Sequence, residues 1–336
     1  MTDRAGAPPP EGLRATARRL VAGGRGVLAA DESIATMSQR LDHAGVPPSV
    51  RHRRDYRELL VTADRLAEGV NGVILCEETL RQRFADGRTF PTGIAELGML
   101  PGIKVDTGTA PLAGAPGETV TTGLDGLPER AAEFAALGAR FAKWRAVFRI
   151  AGDLPSAWAI RANAHALARY AADCLQAGLV PIVEPEVLAA GSHPLERTAA
   201  VTARVLAAVT AALADAGVDP GATVLKPNMV TAGSEAEEAE PAAVARATHD
   251  VLRATVSDDL AGVAFLSGGW EPVTAAANLA AIRELPALWP VTFSFGRALV
   301  SPALRAWGGD PAAVPAAQAA LLVEVRRNTA PDPVPA

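Results

Sequence analysis

The strongest constraint on the fold of this chain is an alternation. Eight short apolar runs, rich in Val, Ile and Phe, are separated by longer stretches of Ala, Leu and Arg at helical spacing. The first four are GVLAAD (Gly26–Asp31), GVILC (Gly72–Cys76), GIKVD (Gly102–Asp106) and RFAKWR (Arg140–Arg145). Then come LVPIVEPE (Leu179–Glu186), TVLKPN (Thr223–Asn228), GVAFLSGG (Gly262–Gly269) and PVTFSFGR (Pro290–Arg297). Most open at or just after a Gly or Pro, as strands that follow a helix C-cap do. Between them, Tyr56, Leu59, Leu60, Ala63 and Ala67 follow the stripe of a helix laid on a sheet. The segment AIRANAHALARYAADCLQAG is built of strong helix formers and closed by Gly178. Eight strand-then-helix units predict an α/β fold, a single (β/α)8 TIM barrel. A doubly wound open sheet is the alternative. Its dinucleotide fingerprint is missing, because AGGRGVLAA places its glycines before the strand, where no helix N-terminus follows.

With 336 residues, 49% of them hydrophobic, the chain can bury a large core. No internal linker is evident, so residues 13–328 are expected to form one catalytic domain. The Pro-rich stretches GAPPPEG and APDPVPA read as flexible tails over 1–12 and 329–336. AGSEAEEAEP, from Ala232 to Pro241, reads as a solvated loop or helix face. A net charge of −5 argues against a nucleic-acid partner. The absence of an apolar leader, or of a run of 18 apolar residues, argues against secretion and against a membrane span. Cys76 and Cys174, without CxxC spacing, read as buried thiols in a reducing cytoplasm.

In a barrel of this kind chemistry gathers at the carboxyl ends of the strands, and here those ends are polar. The first run ends in Asp31, Glu32 and Ser33, the third in Lys104 and Asp106, and the fourth in Lys143 and Arg145. The fifth ends in Glu184 and Glu186, the sixth in Lys226, the seventh in Ser267, Gly268 and Gly269, and the eighth in Gly296 and Arg297. Side chains alternate along a strand, so each i, i+2 pair shares a face. One such pair is as easily a structural ion pair as a functional one. Six charged ends on one rim are not, since burying ions costs several kcal/mol each.

The five histidines fall in helices, linkers or, for His193, a loop, and form no cluster. No HxxxH or Cys/His set marks a metal site and no GxSxG marks an acyl-transfer nucleophile. Lysine chemistry remains. Lowering a lysine pKa from about 10.4 to near 7 takes roughly 4–5 kcal/mol, and repulsion between Lys143 and Lys226 is expected to supply much of it. Glycine-rich ends on the seventh and eighth runs, with Arg297, point to a phosphate site. Arg40 and Lys104 form a second cationic set across the mouth. Two anion sites flanking a lysine point to a sugar with a phosphate at each end.

The stretches GVLAADES, GIKVD, GLDGLPER, FAKWR, VPIVEPE, LKPNMV, FLSGG, FSFGRAL and AWGG occur in order from about Leu20 to Asn328. In these the chain resembles the class I fructose-1,6-bisphosphate aldolases, which form a Schiff base and need no metal. The resemblance implies reversible cleavage of fructose 1,6-bisphosphate to dihydroxyacetone phosphate and glyceraldehyde 3-phosphate. It implies Lys226 as the imine-forming residue, Glu184 as proton shuttle with Glu186 beside it, and Asp31 and Lys143 as handlers of the C4 hydroxyl and the carbinolamine. One phosphate site would be Ser267, Gly268, Gly269, Ser294, Gly296 and Arg297; the other Ser33, Thr36, Arg40 and Lys104, with Arg145 in the same cationic wall. A cytoplasmic homotetramer without cofactor is implied as well. Thr36, Gln39, Thr107 and Trp270 depart from residues common in the family, and no terminal tyrosine is present. Alternatives are another Schiff-base aldolase or transaldolase of this fold, or a non-catalytic scaffold.

Overall fold

Eight parallel strands close a barrel in strict sequence order, in a computed structural model that describes residues 12–329. They are β1 (Gly26–Ala30), β2 (Val70–Leu75), β3 (Leu100–Lys104), β4 (Phe141–Phe148), β5 (Val180–Val187), β6 (Val224–Leu225), β7 (Gly262–Phe265) and β8 (Val291–Phe295). β8 pairs with β1 through Val27 and Ser294, so no edge is left open. The (β/α)8 barrel expected from the alternation is therefore the observed architecture, and the open doubly wound sheet is not. Apart from Gly12 and Thr329, the two predicted tails lie outside the described residues.

The alternation of side chains sets what faces the barrel axis. On β4, Phe141, Lys143, Arg145 and Val147 point inward, while Ala142, Trp144, Ala146 and Phe148 pack outward under the helices. Inside, the Phe141 ring fills space that β2 and β3 leave by carrying Gly72 and Gly102. A Cβ on Gly102 would lie 2.2 Å from that ring and one on Gly72 3.0 Å from it. The floor is closed by the short helix Leu13–Leu20, whose Ala17 and Leu20, with Val21, pack on Val27, Ile74, Phe141, Val180 and Val224. Arg14 ties this helix to Asp219 at 2.7 Å. Apolar packing thus fills the bottom of the barrel and charges occupy the top.

Several boundaries differ from the expectation, for local reasons. The sixth run, expected to pair over Thr223–Asn228, has only two residues in the ladder. Lys226 still donates its N–H to Val183 at 2.8 Å, but Pro227 has no N–H to continue with. The eighth strand stops at Phe295, and Arg297 opens the helix Arg297–Trp307 instead. Asp31, Asp106, Ser267, Gly268 and Gly269 likewise lie just past their strands, whereas β4 runs three residues beyond Arg145. The helix carrying Tyr56, Leu59 and Leu60 ends at Val61, so Ala63 and Ala67 fall outside it. The helix Ala157–Gln176 ends as expected, with Leu179 N–H bonded to Cys174 and Gly178 N–H to Leu175. Glu235, Glu237, Glu238 and Glu240 are exposed in a loop before the helix Pro241–Thr255. The 21-residue helix Leu195–Asp215 is long and apolar enough to cross a membrane by length and composition. It buries Val201, Val205, Leu206 and Val209 in the layer of helices around the barrel.

Candidate active site

β4, β5 and β6 bring two lysines to one carboxylate. Glu184 on β5 lies between Lys226, 3.1 Å from its Oε1, and Lys143, 3.2 Å from its Oε2. Lys143 reaches across the axis to Asp31 at 2.6 Å. All four side chains are almost wholly withdrawn from water. Burial alone pushes the Asp31 carboxyl up, but Lys143, Lys226 and Lys104 outweigh it and hold it at about 2. Glu184 is likewise lowered: burial opposes ionisation, and Lys143, Lys226 and Arg145 more than offset it. Burial drives Lys143 down, but Asp31, Glu184 and Asp106 raise it above the usual lysine range. At neutral pH the cluster thus holds two carboxylates around a charged Lys143. Direct repulsion between the lysines, expected from sequence, is not the arrangement found. Glu184 stands between them.

A cleft of about 740 Å3 opens above this cluster and receives every predicted site residue. Arg145 donates to Glu186, and its backbone N–H to Asp106 at 3.3 Å. On the β1 side, Arg40 is ion-paired to Glu32, and Lys104 to Asp106 at 2.5 Å. Ser33 caps the helix Ile34–His43 by accepting the Thr36 N–H at 3.2 Å, and the two hydroxyls lie 3.0 Å apart. On the β7/β8 side, Gly268 and Gly269 have φ of 61° and 88°, a left-handed turn that favours glycine. The Arg297 guanidinium lies against it: a Cβ on Gly269 would be 2.9 Å from Nη2. Among the described residues Arg297 has no ion pair and the buried Ser294 hydroxyl has no hydrogen-bond partner.

Three features escaped the sequence reading. His43, expected away from the mouth, lines the cleft one helical turn beyond Arg40, and Gln39, just before Arg40, lines it too. A spacing of three from Arg40 was the available signal. Glu32 stands at a strand end in the sequence, where nothing marks it as the partner of Arg40. Arg57, fully buried, anchors the end of β1 by donating to the carbonyls of Ala30 at 3.1 Å and Glu32 at 2.7 Å. Its place beside Tyr56 on a buried helix face was the only hint. Among the described residues no group of three or more His, Cys, Asp and Glu side chains is arranged to hold a metal.

A parallel barrel with lysines and carboxylates buried at its carboxyl rim, beside a glycine turn and an arginine without an ion pair among the described residues, has the layout of an enzyme that works on carbonyl compounds through lysine chemistry. Comparison with known proteins narrows this. The family model described as fructose-bisphosphate aldolase class-I matches residues 12–332. The chain is 51% identical over 322 residues to the fructose-bisphosphate aldolase of Schistosoma mansoni, covering 95% of this chain and 89% of that one. It is 48% identical to fructose-bisphosphate aldolase B of Mus musculus, covering 94% and 88% of the two chains. Against a cytoplasmic isozyme of the enzyme from Pisum sativum it is also 48% identical, covering 91% and 86%. Among solved structures, fructose-bisphosphate aldolase of Plasmodium falciparum, crystallised with TRAP and a small-molecule inhibitor, superposes with a TM-score of 0.93. Its identity to this chain is 42%, covering 94% and 92%. The chain belongs to the class I fructose-bisphosphate aldolase family. Its activity is that of an aldehyde-lyase that cleaves fructose 1,6-bisphosphate through a lysine Schiff base.

Proposed function

We propose that Lys226 is the lysine that forms the imine and that Glu184 moves protons for it. The observation that carries this reading is the position of Glu184, within 3.2 Å of both Lys226 and Lys143. An amine must shed a proton before it attacks a carbonyl, and Glu184 Oε1 is in reach of the Lys226 proton. Addition of Nζ to the ketose C2 gives a carbinolamine. Glu184 returns the proton to the departing hydroxyl, and water leaves. The protonated imine then draws the electron pair of the C3–C4 bond as it breaks. Ionised Asp31 accepts the C4 hydroxyl proton, and the aldehyde fragment departs. Lys143, held charged, keeps Asp31 and Glu184 ionised and stabilises the carbinolamine oxygen. Protonation of the enamine and hydrolysis of the imine free the second product.

Ser267, Gly268, Gly269, Ser294, Gly296 and Arg297 would hold one phosphate; Ser33, Thr36, Arg40 and Lys104 the other, with Arg145 and Glu186 between them. The electron sink is the imine, so the reading includes metal independence. It also includes a cytoplasmic homo-oligomer, the tetramer that the resemblance implies, made of units that span residues 13–328. Borohydride reduction in the presence of dihydroxyacetone phosphate is expected to label Lys226 once per chain. Label on Lys143 or Lys104 with Lys226 free would overturn the assignment. Dialysis against a strong chelator should leave cleavage intact; loss that zinc restores would overturn the metal-free mechanism. Sedimentation equilibrium tests the tetramer.

A further inference from the structure

A second cavity, of about 550 Å3, lies on the same rim and shares no lining residue with the catalytic cleft. It sits just past the ends of β4 and β5, between residues 149–152 and 190–193, with Arg197 and Glu235 completing the wall. Two guanidiniums line it. Arg149 is exposed and has no hydrogen bond or ion pair among the described residues. Arg197 donates its side chain to the Gly152 carbonyl alone, at 3.0 Å. Glu235, the cavity's one carboxylate, pairs with neither. Arg81 and Arg88, by contrast, are each held by two carboxylates.

The remaining wall favours an anion too. Arg197 lies in the first turn of the 21-residue helix Leu195–Asp215, whose start is capped by no side chain among the described residues, so its N–H groups are open to a ligand, while Glu196 in the same turn offsets part of the positive charge of that end. His193 is nine-tenths buried in the wall, and its Nε2 has no hydrogen-bond partner among the described residues. Burial, with Arg197 adding to it, holds the imidazole below its ordinary value. At neutral pH His193 is therefore an uncharged polar group, able to hydrogen-bond without competing for the arginines. Two unpaired guanidiniums in one cavity repel each other unless an anion lies between them, and a phosphate offers oxygens to both.

We propose that this cavity binds the phosphate group of a small phosphorylated molecule between Arg149 and Arg197, at a site separate from the catalytic cleft. The probe is inorganic phosphate, titrated by calorimetry into the full chain at low ionic strength. The wild type should bind phosphate at the catalytic rim and at this cavity. Arg149→Gln/Arg197→Gln should weaken one class of sites at least tenfold while cleavage of fructose 1,6-bisphosphate stays within twofold, which also shows that the variant folds. Arg297→Gln should weaken a different class, and Arg169→Gln, on an exposed helix face, neither. Unchanged stoichiometry and affinity in the double variant would overturn the proposal. So would loss of all phosphate binding in Arg297→Gln alone. Should the double variant not fold, wild-type crystals soaked in phosphate decide: density between Arg149 and Arg197 supports the site, and its absence at full occupancy of the catalytic rim refutes it.

Discussion

The two sides of the catalytic mouth hold similar numbers of polar groups in opposite states. On the β7/β8 side, the Ser267–Gly269 turn and Arg297 face the cleft without a carboxylate partner among the described residues. On the β1/β3 side, Arg40 is already paired with Glu32, Lys104 with Asp106, and Ser33 with Thr36. With a phosphate on each side, as proposed, one side is organised for its anion before it arrives. On the other, an anion must displace or share existing partners, so it gains only the difference between two charge-assisted bonds. The lesson is that counting cations around a cleft overstates its affinity; what matters is how many are free.

The largest expected effect breaks this comparison if it fails. Arg297→Ala should lower kcat/KM by about 100-fold, ~3 kcal/mol, on both fructose 1,6-bisphosphate and fructose 1-phosphate. A loss confined to one sugar would mean that the free side is not the shared one.

Acid should reach Asp31 only after ordinary carboxylates are protonated. Asp31 is ionised in the folded state down to about pH 2, against an ordinary value of 3.8. Its folded pKa is lowered, so its stabilising contribution is complete above about pH 4 and disappears as pH falls toward 2. The shift corresponds to about 2 kcal/mol. Urea unfolding at a series of pH values should show the stability gap between wild type and Asp31→Asn shrinking by about that much between pH 5 and pH 2. A gap independent of pH would contradict the ion-paired state of Asp31.

Arg40→Ala should cost roughly tenfold in kcat/KM for the bisphosphate and leave fructose 1-phosphate within twofold. Equal impairment on both sugars would show that Arg40 does not serve the second phosphate. The smallest effect is the sharpest test. Glu32→Gln frees Arg40 from its partner and should lower KM for the bisphosphate about threefold, ~0.6 kcal/mol, without altering the monophosphate. A rise in KM would mean that Glu32 positions Arg40 more than it competes for it.

The alternation of runs carried the barrel, because a period-two pattern closed by Gly or Pro is a local property of the chain. The site was legible for the same reason: Lys143 and Arg145, or Glu184 and Glu186, share a face by spacing alone. Pairing across the mouth was not. Lys143 meets Asp31 only because the barrel closes, and Arg57 reaches Glu32 from a helix 25 positions further on. Arg40 and Glu32 are separated by a helix start whose direction spacing does not fix. The sequence showed which charges gather; closure decides which of them are spent on each other.

The helix Leu13–Leu20 has a consequence for traffic. With Leu20 and Phe141 sealing the bottom, the cleft is a cul-de-sac, and reactant and both products share one doorway. Lys226 is at the far end of it, only 4% exposed. With the imine at Lys226, as proposed, a fragment tethered there cannot leave past one that is still seated nearer the opening, so the order of departure follows depth. The exit queue is a property of the architecture, fixed before any affinity is considered.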